Sequence, residues 1–127
     1  MEIIESKRKN ELILIPKTEK YTQYMLDLLL KLPRTEKFSI GTEYKASMYR
    51  MIANLMYLNK LANGKQMEYV NQIDAELQIQ RIYARIMNNN RWIDDRKFKI
   101  VIEQIHELGK IVGGLSKYYA KENKKPI

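Results

Sequence analysis

The stretch from Asp94 to Tyr119, DDRKFKIVIEQIHELGKIVGGLSKYY, constrains this chain more than any other. Phe98, Val101, Ile102, Ile105, Leu108, Ile111, Val112 and Leu115 recur at three- and four-residue intervals. That is the spacing of a helix with one buried face. Gly109, Gly113 and Gly114 sit inside the pattern, where each costs about 1 kcal/mol relative to Ala. Glycines kept in so strong a helix predict close helix packing, with another backbone passing where no side chain fits. The rest of the chain must then supply partners for this helix.

Three earlier segments read as those partners. Thr18 to Leu32 carries Tyr21, Met25, Leu28, Leu29 and Leu32 on one face. Pro33 ends it, because the residue before proline is pushed out of helical geometry. Ser39 then reads as an N-cap, with Glu43 in the first turn and Phe38 placed as a hydrophobic staple. The helix that follows carries Tyr44, Met48, Met51, Ile52, Leu55, Leu58 and Ala62, widened by Leu61, until Asn63-Gly64 stops it. From Lys65 a third helix places Val70, Ile73, Leu77, Ala84 and Met87 on one face, with one longer gap. Ile79, Ile82, Tyr83 and Ile86 make it apolar beyond that face, as expected of a helix that meets a second surface or another subunit. Asn88-Asn89-Asn90 breaks it, and Asp94 caps the last helix.

The predicted organisation is therefore an N-terminal arm over 1–17, a bundle over 18–119 and a Lys-rich tail over 120–127 that is expected to fray. Pro16 is expected to end the arm, in which Leu12 to Ile15 forms a short extended segment. The helices fall at about 18–32, 40–62, 65–88 and 95–119. Short connections make neighbours antiparallel. The fold class is all-α, an antiparallel up-down-up-down four-helix bundle.

Several kinds of chemistry are excluded by residue type. Without cysteine there is no disulfide, thiol nucleophile or thiolate metal site, which fits a cytoplasmic protein. The N-terminal segment is not expected to be a signal peptide, and no run approaches the roughly 20 apolar residues of a membrane span. Glu103-x-x-His106 has the spacing of a di-iron half-site, but a full site needs two such pairs and His106 is the only histidine. Gly109-x-x-x-Gly113-Gly114 lies within a helix, so it is no phosphate loop. Tyr118-Tyr119 completes a core or interface more simply than it stacks on bases. No catalytic residue, cofactor or metal is predicted.

Charge is the stronger lead. The net charge is +8. Residues 31–50 carry five basic side chains against two acidic, and residues 77–99 carry six against two. Arg81 and Arg85 share a helix face. Arg91, Arg96, Lys97 and Lys99 follow them, and in an antiparallel bundle the turn bearing Arg34 and Lys37 lies at the same end. These eight residues are the candidate nucleic-acid-binding set, engaging phosphates by charge without reading sequence. The competing reading is a basic surface that only keeps a structural, oligomeric adaptor in solution.

Two segments, KLPRTEKFSIG at 31–41 and ELGKIVGGLSK at 107–117, resemble the signature segments of the Avd-like four-helix-bundle proteins. The matching residues are Pro33, Phe38 and Gly41, and Gly109, Gly113 and Gly114. Leu115 stands where many relatives have an aromatic residue. The family includes the accessory variability determinant of diversity-generating retroelements and the proteins of 23S ribosomal RNA intervening sequences. The resemblance implies a pentameric, barrel-like ring without catalytic activity. It also implies two partners, a retroelement reverse transcriptase and nucleic acid: template RNA, an RNA–cDNA duplex or DNA. In such a system the protein supports mutagenic copying of a template RNA. A ribosomal-insert protein is the alternative within the family.

Overall fold

A computed structural model describes the backbone of residues 2–60 and 64–124 and the side-chain surroundings of residues 13–60 and 64–122. Those residues form four long helices and one single-turn helix: α1 (Glu2–Leu29), α2 (Arg34–Lys37), α3 (Ile40–Lys60), α4 (Gln66–Asn89) and α5 (Asp95–Lys124). Among the described residues there is no strand. Packing closes in a cycle, α1 on α3, α3 on α4, α4 on α5 and α5 on α1. The result is the predicted up-down-up-down bundle.

The core follows the predicted stripes. Tyr21, Met25, Tyr44, Met48, Leu77, Val101 and Ile105 are all fully or almost fully buried. Val112, Leu115 and Tyr119 continue the α5 stripe to its last turns. The side chains of Leu61, Ala62 and Asn63, and those of Lys7, Arg8 and Lys9 in the N-terminal arm, lie outside the described residues.

Five expectations are corrected. The first helix starts at Glu2, not near Thr18, and runs through Pro16. Leu14 and Thr18 are both buried in register with Tyr21 and Met25, while Pro16 is exposed. Core packing of the residues either side thus holds the helix across a residue that disfavours it. Phe38 is 76% exposed, so it does not act as a staple among the described residues. Ser39 lies at the start of α3, but its hydroxyl turns back to the Thr35 carbonyl and the Glu36 carboxylate. The tail does not fray at Ala120, because α5 continues to Lys124.

The fifth correction concerns the glycines. A Cβ at Gly109 or Gly113 would meet nothing within 4 Å, so neither marks a close crossing among the described residues. Both sit on the flank of α5 beside its buried stripe and are half-buried. The close approach is at Gly41, where a Cβ would come within 3.2 Å of the Glu36 carbonyl oxygen. Gly41 is buried, and its missing side chain lets α2 fold back onto α3.

The side of α4 that faces α3 carries a buried polar chain. Gln80 donates to the Ser47 hydroxyl at 3.0 Å and accepts from the Tyr21 hydroxyl at 2.7 Å. Tyr21 also bonds the Tyr44 hydroxyl. Ser47 reaches Glu76 at 3.3 Å, and Glu76 accepts two bonds from Arg50 at 2.8 and 3.1 Å. Burial pushes the Tyr21 and Tyr44 phenols well above their ordinary range. The chain ties α1, α3 and α4 in one register, and Gln80 fills the gap in the apolar stripe of α4.

Candidate nucleic-acid interface

The end of the bundle where α1 meets α2 is also where α4 hands over to α5. The α4–α5 turn is built without glycine. The N–H of Arg91 bonds the Asn88 carbonyl at 3.0 Å, and the N–H of Trp92 bonds the Met87 carbonyl at 2.9 Å. This is a Schellman termination, whose left-handed position usually takes glycine. Arg91 occupies it with φ of 61°. Asp94 then caps α5, accepting from the Lys97 N–H at 2.8 Å.

The predicted basic residues are placed as follows. Arg34 and Lys37 lie in α2. Arg85 lies near the last turn of α4, Arg91 in the turn, and Arg96, Lys97 and Lys99 in the first turns of α5. Because neighbouring helices are antiparallel, these seven share one end of the bundle. Arg81 sits one turn above Arg85, toward the middle of α4. Arg34, Arg85, Arg91, Arg96 and Lys99 are exposed; Lys37, Arg81 and Lys97 are half-buried. Neutralisation is partial. Arg91 pairs with Asp95 at 3.1 Å. An Asn88 hydrogen bond, together with the Arg91 charge, holds the Asp95 carboxyl below its ordinary range. At the same end Tyr24 is raised, by burial and then by Asp94.

The structure adds residues that charge counting left out. A groove of about 250 Å³ between α4 and α5 is lined by Asp74, Gln78, Arg81, His106, Gly109 and Lys110. His106 is exposed there. The i, i+4 spacing of His106 and Lys110 was the available signal, but it becomes informative only when α4 brings Arg81 opposite. A larger cleft between α1 and α3 is mainly apolar, with Ile15, Leu26, Ile52 and Met56 among its walls. On α4, Ile82 is 52% exposed and Ile86 is 39% exposed, so this chain alone does not cover that face.

Among the described residues no group of three or more His, Cys, Asp or Glu side chains gathers to hold a metal. None of their helices is long and apolar enough to cross a membrane. The sequence model of one protein family, described as bAvd-like, matches residues 12–119. No curated protein and no solved structure matches the chain.

Proposed function

We propose, because this chain belongs to the bAvd-like family, that it is a non-catalytic accessory protein of a retroelement reverse transcriptase. In this reading it holds template RNA, or an RNA–cDNA duplex, close to the polymerase. The observation that carries it is the gathering of Arg34, Lys37, Arg85, Arg91, Arg96, Lys97 and Lys99 at one end of the bundle. Seven cationic side chains at one end of a bundle make a field that attracts a polyanion. Arg91 adds to it. A left-handed backbone costs a non-glycine residue about 1 kcal/mol, so an arginine held there, at the basic end, suits a role in contact rather than in folding.

The protein acts as an oligomer in this proposal, a ring of five copies. Support comes from the uncovered Ile82 and Ile86 on α4, which a neighbouring copy would bury. At about 25 cal/mol per Å² of apolar surface, an exposed isoleucine stripe favours association.

Binding of single-stranded RNA and of an RNA–DNA duplex, measured by anisotropy over a salt series, tests the function. Affinity is expected to fall steeply with salt. Reversing the charge of Arg85, Arg91 and Arg96 together should weaken it at least tenfold at low salt. Failure to bind at physiological salt would favour an adaptor without nucleic-acid contact. Co-purification with a reverse transcriptase encoded beside the gene tests the partner, and light scattering tests the ring.

A further inference from the structure

We infer that the α4–α5 groove seats a phosphate group of the nucleic-acid backbone, with Arg81 as its central donor. The inference rests on the nucleic-acid reading above and assigns a site to it. The Nε atom of Arg81 is buried and has no hydrogen-bond partner. Buried donors are nearly always satisfied, and leaving one unpaired costs about 1–3 kcal/mol. The Nε–H of Arg81 therefore lacks an acceptor. Turned into the groove, the guanidinium would present Nε–H and an Nη–H as a fork that matches two phosphate oxygens.

The surroundings suit an anion of that size. His106 and Lys110 on α5 and Gln78 on α4 line the same groove and can donate to it. Gly109 leaves the wall open, since even a Cβ there would meet nothing within 4 Å. Asp74 is the one carboxylate in the lining, set against Arg81 and Lys110. The groove also continues toward the basic end. Arg85 is one turn from Arg81 on the same face of α4. Lys99 lies seven residues before His106, hence on the same side of α5. Lys99 to Lys110 spans about 16 Å at 1.5 Å per residue, long enough for more than one phosphate, with Glu103 interrupting the row. The apolar cleft between α1 and α3 has no cationic side chain in its lining.

His106 is the only histidine, so its ring gives one unambiguous resonance at the site. The intact protein would be titrated with inorganic phosphate and, separately, with a short single-stranded RNA while that resonance is followed by NMR. A saturable shift is expected with both and none with chloride. Arg81→Gln should weaken the phosphate response about tenfold or more, the loss of a charge-assisted pair. It should also lower the slope of log affinity for RNA against log salt by about one. Gly109→Leu, which fills the groove without removing charge, should weaken the phosphate response as well. Lys60→Gln, at the far end of the bundle, should alter neither the phosphate response nor the RNA slope.

Steep, salt-dependent RNA binding with a silent His106 would overturn the groove while leaving the basic-end reading intact. A phosphate response without RNA binding would overturn the nucleic-acid source. A wild-type response in Arg81→Gln would overturn the role of that residue and with it the proposal.

Discussion

Gln80 and Arg81 are adjacent in sequence and opposite in circumstance. Gln80 turns toward α3, fully buried, with both ends of its amide bonded to Ser47 and Tyr21. Arg81 turns toward α5, where its Nε is equally dry and has no partner. One side of α4 is thus a closed polar network and the other an open cationic groove. The glycines divide the same way. Gly41 is needed because a carbonyl oxygen sits 3.2 Å from where its side chain would be, whereas Gly109 and Gly113 face open space. Polar groups on the closed side serve folding. Those on the open side have no folding partner, and this is why they point to a ligand.

The comparison can be broken in several ways, and the largest expected effect comes from the closed side. Gln80→Leu removes the acceptor of the Tyr21 hydroxyl and the amide donor to Ser47, leaving Tyr21 with Tyr44 alone and Ser47 with Glu76 alone. At about 0.5–1.5 kcal/mol for each hydrogen bond lost, a loss of about 1–3 kcal/mol is expected in urea denaturation. A change under 1 kcal/mol would mean the network is not closed.

The same network predicts alkaline sensitivity. Burial raises the Tyr21 and Tyr44 phenols above their unfolded values. Their contribution is therefore fully present below pH about 10 and is lost as pH rises beyond it. The loss is about 1.4 kcal/mol per pH unit for each phenol that ionises only in the unfolded chain. Denaturation midpoints should fall between pH 10 and 11, and Tyr44→Phe should make that fall shallower. A midpoint that stays flat would place both phenols in contact with water.

Alanine at the glycines should give opposite signs. Gly41→Ala forces the Glu36 carbonyl away and is expected to destabilise by about 1–2 kcal/mol. Gly109→Ala meets nothing and gains helix propensity, so about 1 kcal/mol of stabilisation is expected. Equal losses at both, in thermal melts at low protein concentration, would show that α5 has a close neighbour after all. The smallest effect is Arg81→Gln, expected within about 0.5 kcal/mol of the parent in stability even as it weakens phosphate binding. A large loss of stability there would return Arg81 to the folding side of the comparison.

Much of this molecule was legible from residue order, and the limits have physical causes. The 3.6-residue stripes located all four long helices, though not the start of the first, because a single buried face leaves a periodic record. The gap between Leu77 and Ala84 was visible, but its filling by Gln80 was not. A polar residue reads as exposed until a partner on another helix satisfies it, and Tyr21 and Ser47 belong to other helices. Pro16 misled for the same reason. Its local cost is written in the sequence, whereas the burial of Leu14 that outweighs it depends on contacts made elsewhere. Within the candidate site, the shared end of Arg34, Lys37, Arg91 and Arg96 followed from antiparallel topology alone. His106 and Lys110 were passed over because their meaning lies in what stands opposite.

The sequence by itself determined the helices, their antiparallel order, the basic balance and the two segments that carry the family resemblance. Each is a property of one segment, or of segments joined by short connections. Only the tertiary structure decided which buried polar groups are satisfied, which glycine is crowded, and where a cationic groove opens. Those outcomes depend on the rotation of each helix about its own axis, which packing fixes and no single segment encodes. Two neighbours on α4 therefore carry opposite roles, and only the helices on either side of them tell the roles apart.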